Sequence, residues 1–176
     1  IEGKTDAGLL NEIPDYFFDT IDLVREKTKG EISVHGEVFS PFTHYLELFG
    51  YMNAIIGLVK NKEKVKALLD RLTDATVAWA VAQARHGVDA VLISSAFAGG
   101  GFLSPKMYTE YILPYEQRLA DAVRACGVPV YTHTCGKIGD RLNLMEQTHT
   151  MGIDTLDPHP LGNVELADAK HGVGQR

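Results

Sequence analysis

The sequence predicts an α/β protein in which βα units build a parallel sheet, and three observations carry that expectation. Short apolar or β-branched runs alternate with longer amphipathic segments, the pattern of right-handed βαβ connections. Asp89-Ala90-Val91-Leu92-Ile93 is almost continuously apolar, as a parallel strand covered on both faces requires. Polar groups recur where each run ends: Glu37, then Ser94 and Ser95, then His133 with Cys135, then Asp157 with His159. A doubly wound sheet and a (β/α)8 TIM barrel both fit the alternation. The barrel is favoured because no Gly-x-Gly-x-x-Gly follows any run, and because barrel enzymes assemble their sites at the carboxyl ends of several strands.

In chain order, residues 1–12 carry no strong pattern, and Ile13-Pro14-Asp15 opens a helix with a proline and an acid suited to a first turn. Phe17, Ile21, Val24 and Thr28 keep its period until Gly30 stops it. Residues 31–36 read as the first strand and 37–42 as the loop beyond it. One helix is expected over about 43–60 and a longer one over about 63–86, whose stripe of Val65, Leu68, Leu69, Leu72, Thr76, Trp79 and Ala80 should pack along the sheet. The second strand, 89–93, leads through Ser94 and Ser95 into Gly99-Gly100-Gly101, which reads as a flexible lid. Ser104-Pro105 caps the next helix, which Pro114 should kink or break. The third strand is 128–133, followed by a helix over 138–148, a fourth strand over 152–156 and a last helix that Asn163 caps. A complete barrel takes ~250 residues. Residues 1–176 are therefore expected to form a single, incomplete barrel domain of about four βα units.

Composition narrows the function classes. The chain is 45% hydrophobic and 23% charged with a net charge of −6, which argues against a nucleic-acid or polyanion binder. No apolar run approaches the ~20 residues of a membrane helix, and no basic-then-apolar leader opens the sequence, so a cytoplasmic protein is expected. The only two cysteines, Cys126 and Cys135, are too few for a disulfide framework and suit a reducing compartment. Cys126 reads as a packing residue at a helix end.

The stretch that carries chemistry is Val128-Pro129-Val130-Tyr131-Thr132-His133-Thr134-Cys135-Gly136. In extended chain His133 and Cys135 leave the backbone on the same side, and imidazole with thiolate suits a borderline-soft ion such as zinc. Two ligands do not close a site, and an isolated H-x-C is more often a buried Cys beside a hydrogen-bonded His. His35 and His159 stand near strand ends but read as structural, and Tyr108, Tyr111 and Tyr115 share one helix face and read as packing.

His133-Thr134-Cys135-Gly136, together with Phe39-Ser40-Pro41-Phe42, Leu103-Ser104-Pro105, Tyr111-Ile112-Leu113-Pro114 and Gly152-Ile153-Asp154, resembles the uroporphyrinogen decarboxylase superfamily over about residues 30–176. The resemblance implies a (β/α)8 barrel and is closer to the corrinoid-dependent methyltransferase branch. In that branch a methyl group moves between a corrinoid (cobalamin) protein and a thiol or folate acceptor, and an H-x-C-G motif binds zinc. It implies that His133 and Cys135 are zinc ligands, with the third ligand beyond Arg176. Glu37 and Asp157 are then candidate catalytic acids, fourth ligands or partners of His133. Ser94 and Ser95 are candidate cofactor-binding residues, Ser95 resembling a substrate-contacting Ser of the decarboxylases. The alternative is a uroporphyrinogen decarboxylase, which removes carboxylates from a tetrapyrrole in porphyrin and heme biosynthesis without a metal. Only Lys106 and Lys137 stand in the strand-end loops, few cations for such a polyanionic substrate.

Overall fold

The protein is represented by a computed structural model that describes residues 13–173. Three parallel strands, β1 (His35–Phe39), β2 (Ala90–Ser94) and β3 (Val130–His133), form one sheet in the order β1-β2-β3. Register aligns Glu37 with Leu92 and Tyr131, and Phe39 with Ser94 and His133. Ahead of the sheet runs α1 (Asp15–Thr28). Between β1 and β2 lie α2 (Pro41–Phe49), α3 (Tyr51–Lys60) and the long α4 (Lys62–Arg85). Between β2 and β3 lie a 3-10 turn (Ala96–Ala98), α5 (Pro105–Tyr111) and α6 (Leu113–Arg124). After β3 come α7 (Leu142–Met145), a second 3-10 turn (Glu146–Thr148) and α8 (Leu166–Gly172).

Two cores hold this arrangement. On one face of the sheet, Val38, Val91, Ile93 and Val130 pack against Ala80 of α4 and Leu119, Ala120 and Val123 of α6. Each strand alternates with period 2, so His35, Glu37, Phe39, Leu92, Ser94, Tyr131 and His133 lie on the opposite face, exposed or half-buried among the described residues. A second core of Phe42, Tyr45, Leu46, Leu58, Leu69, Tyr108, Tyr111, Ile138 and Met145 joins α2, α3, α4, α5 and α7 beyond the strand ends. No helix among the described residues is long and apolar enough to cross a membrane.

Several boundaries differ from the sequence expectation, each for a local reason. The first strand lies four residues later than 31–36, because pairing starts at His35 opposite Ala90. Asp89 secures the approach by accepting the Val34 N–H at 2.8 Å. Glu37 is consequently mid-strand and not in a loop. The helix expected over 43–60 is two helices, divided at Gly50, whose φ of 73° a side chain would resist. Pro114 does divide its helix, with α5 ending at Tyr111 and α6 taking Pro114 into its first turn. The helix over 138–148 shrinks to α7, since Gly139 N–H is held by Asn163 Oδ1 at 3.0 Å and Arg141 is drawn away from the helix. Asn163 is thereby committed to Gly139 and does not cap α8, which begins at Leu166. The fourth strand is reduced to one parallel bridge, Thr132 to Ile153, flanked by bonds from Met151 N–H to Val130 O and from Asp154 N–H to Thr132 O. Cys126, expected to pack, is exposed.

Candidate functional site

The best-built polar site lies at the carboxyl end of β3. Thr132 is buried toward the helices, so alternation turns His133 to the open face, directly beside Ser94 in the register. His133 Nδ1 stands 2.9 Å from Asp154 Oδ1 and 2.7 Å from Thr155 Oγ1, and the Thr155 hydroxyl also reaches Asp154 Oδ1 at 2.7 Å. A carboxylate at Nδ1 assigns that nitrogen the proton and leaves the lone pair on Nε2, the arrangement found in metal-ligating histidines.

Cys135 follows on an exposed turn, its Sγ 4.0 Å from Ala96 O. Every side of the turn is tied. Gly136 has φ of 82°, and its N–H donates to Asp157 Oδ2 at 2.7 Å. Gly100 N–H donates to Lys137 O at 2.6 Å. A Cβ on Gly99 would lie 2.9 Å from Cys135 O, so only glycine admits this approach. Arg141, fully buried, donates to Ala98 O at 2.9 Å and Leu103 O at 2.8 Å, and pairs with Asp140 at 2.9 Å. The Gly99 to Gly101 run expected as a flexible lid is therefore stapled to the Cys135 turn by its first two glycines.

The other expected site residues separate. Ser94 shares the face of His133. Ser95 is 1% exposed and does not face that side as a cofactor-binding residue would: its hydroxyl donates to Glu116 Oε1 from within the core. Asp157 closes the Cys135 turn from behind through Gly136. Glu37 lies on the same face as His133 but two residues back in the register and two strands away, roughly 10 Å across the sheet at ~4.8 Å per strand. Its peptide N–H and C=O are both held by the Gln83 carboxamide, at 3.2 Å and 3.0 Å. His35 bridges Ser33 and Tyr131, as a structural histidine does. Burial, then Asp154 and Glu37, push the Tyr131 hydroxyl above its ordinary value.

Among the described residues no three His, Cys, Asp or Glu side chains cluster as a metal-binding group. His133 and Cys135 fit zinc in donor chemistry, and the Asp154 contact fits a ligating imidazole.

Sequence reasoning missed Asp154, Thr155, Arg141 and Glu116. A polar pair inside the run Gly152-Ile153-Asp154-Thr155-Leu156 was the available signal for the first two. Nothing local marks Arg141. Glu116 is 1% exposed, and burial pushes its carboxyl up to about 7 against the lowering effect of the Ser95 hydrogen bond.

Comparison with known proteins agrees with this architecture. A family profile described as uroporphyrinogen decarboxylase (URO-D) matches residues 6–175. A methylcobamide:CoM methyltransferase MtbA from Methanosarcina acetivorans is 31% identical over 136 residues, covering 77% of this chain and 40% of the relative. A uroporphyrinogen decarboxylase from Syntrophotalea carbinolica is 29% identical over 153 residues, covering 79% of this chain and 42% of the relative. Among solved structures, a methyltransferase from Methanosarcina mazei superposes with a TM-score of 0.71 at 22% identity, over 77% of this chain and 40% of that one. The chain thus spans less than half the length of these relatives.

Proposed function

The chain belongs to the uroporphyrinogen decarboxylase family, and from that premise we propose that it is part of a zinc-dependent methyltransferase. The reaction is transfer of a methyl group between a corrinoid (cobalamin) protein and a small thiol or folate acceptor. The parallel sheet is read as part of a (β/α)8 barrel, with the site at the carboxyl ends of its strands. A cytoplasmic setting keeps Cys135 reduced and available.

The observation that carries this reading is the His133 imidazole held through Nδ1 by Asp154, two residues from an exposed Cys135 on a turn tied at each side. His133 Nε2 and Cys135 Sγ would hold the metal with a third ligand outside the described residues. Zinc bound there would lower the pKa of an acceptor thiol, making the thiolate available at neutral pH. The remaining work falls to the chain itself. Asp154 and Thr155 fix the tautomer and plane of His133. Asp157 sets the turn that presents Cys135, and Ser94, the register neighbour of His133, is proposed to contact the acceptor or cofactor. Glu37, on the same open face but two strands from His133, is proposed to take up the proton released by the acceptor thiol through intervening solvent.

Zinc content of the full-length protein beside Cys135→Ala tests this reading. The expected outcome is about one zinc per chain, lost in the variant, with methyl transfer from a methylated corrinoid donor lost alongside. Absence of zinc in both, after supply under reducing conditions, removes the metal site and favours the second reading. That reading is a metal-free uroporphyrinogen decarboxylase, and it rests on the decarboxylase relatives at 29% identity. Turnover of uroporphyrinogen by metal-free protein would establish it.

A further inference from the structure

Behind the His133 to Cys135 segment the protein buries polar groups that the proposed chemistry does not use. Glu116 of α6 is buried, its Oε1 accepts the Ser95 hydroxyl, and its Oε2 has no partner among the described residues. Thr134, between the two candidate ligands, is likewise buried with an unpartnered Oγ1. Tyr108 completes the set: its buried hydroxyl has no partner among the described residues, and burial first, then the Glu116 carboxyl, push it well above its ordinary value. An apolar side chain at 116 would pack here without the desolvation cost of a carboxyl, so its presence needs a local reason.

Ser95 supplies that reason. It is the first residue after β2, and its N–H donates to His133 O at 2.8 Å. This bond closes the last register pair of β2 and β3, Ser94 with His133, and fixes the peptide that bears the candidate ligand. The Ser95 hydroxyl bond to Glu116 ties this residue to α6 and so holds in place the peptide whose N–H donates to His133 O.

We propose that Glu116 is a positioning residue for the His133 and Cys135 pair, acting through Ser95 to hold the strand end from which both project. The proposal rests on the reading of these two residues as zinc ligands. Its mechanical part, the hold on the strand end, stands apart from the metal. Glu116 touches neither candidate ligand through its side chain in any recorded hydrogen bond, and it works by keeping one backbone bond in place.

Two measurements on the full-length protein test this. Zinc affinity is read by competition with a chromophoric chelator, and hydrogen exchange of the Ser95 amide is read in zinc-free protein. Ser95→Ala, a change of one buried atom, is expected to weaken zinc at least tenfold and to speed Ser95 exchange at least tenfold relative to the β2 amides. Glu116→Leu should do the same, whereas Glu116→Gln, which keeps an acceptor oxygen, should stay within about threefold of native in both. Leu119→Ala in the same helix reports general loosening of α6. Unchanged exchange and affinity in Ser95→Ala, or changes that Leu119→Ala reproduces at equal loss of Tm, would overturn the proposal. If native protein binds no zinc, the metal reading fails alone, and the exchange comparison still decides whether Glu116 holds the strand end.

Discussion

The carboxyl end of β3 and the middle of β1 are built to opposite standards. At β3, His133 is bonded to Asp154 and Thr155, the following turn to Asp157, Gly99 and Gly100, and Arg141 anchors the loop that supplies those glycines. At β1, Glu37 is held through its peptide by Gln83 while its carboxylate stays in solvent on the open face. The difference shows where the protein spends its polar contacts. A pair of metal ligands, as His133 and Cys135 are proposed to be, must be placed to within fractions of an ångström, and loosely held side chains lose affinity to the entropy of ordering them. A carboxylate proposed only to accept a proton tolerates a wider range of positions. Tethering through the backbone is enough for it.

The largest expected break in this contrast is at Arg141. Replacement by Met leaves Ala98 O and Leu103 O buried without donors, each worth about 1–3 kcal/mol, so a loss on the order of 4 kcal/mol is expected in urea unfolding. The same variant should release the Gly99 loop and weaken zinc, whereas Gln83→Ala at the β1 end should leave zinc affinity unchanged. A stable Arg141→Met with native zinc affinity would remove the staple from the account.

Next in size is the pH dependence that Glu116 imposes. Its folded carboxyl is pushed up to about 7 by burial, from an ordinary value of 4.5. Between those two values the folded state keeps a proton that the unfolded chain has released, so stability falls as pH rises from 4.5 and levels off above about 7. The integrated effect is on the order of 3 kcal/mol. Thermal unfolding of native protein beside Glu116→Gln over pH 4.5–8 should show this decline in the native curve and its loss in the variant. Parallel curves would assign the pH dependence to other groups.

The smallest expected effect gives the cleanest test of the comparison. Asp154→Asn removes the charge that orients His133 and should weaken zinc about 10–100-fold. Glu37→Gln in the middle of β1 should leave zinc affinity within about twofold while slowing methyl transfer. Equal effects of both substitutions on zinc would mean that the two strands serve the metal alike.

How much of this was legible beforehand depends on the range of the interaction. The H-x-C spacing, the apolar run of β2, the Pro114 break and the stripe on α4 are local signals, because period and backbone dihedrals act over a few residues. The start of β1 was not, since His35 enters the sheet by pairing with Ala90, 55 residues away, and local β-propensity is a weak guide to register. The glycine run looked like a lid because nothing near it in the chain shows that Arg141 and Lys137 close upon it.

By itself the sequence determined an α/β fold with a parallel sheet, the three strands and most of the helices between them, and the spacing that sets His133 and Cys135 at one strand end, because these follow from side-chain chemistry and short periodicities. Only the tertiary structure decided that Asp154 orients His133, that Asp157 supports the turn, that Ser95 faces Glu116, and that Glu37 stands two strands away. Those are contacts between residues about 20 to 40 apart, or on different strands. Their energies depend on burial and on hydrogen-bond geometry that exist only once the strands have paired.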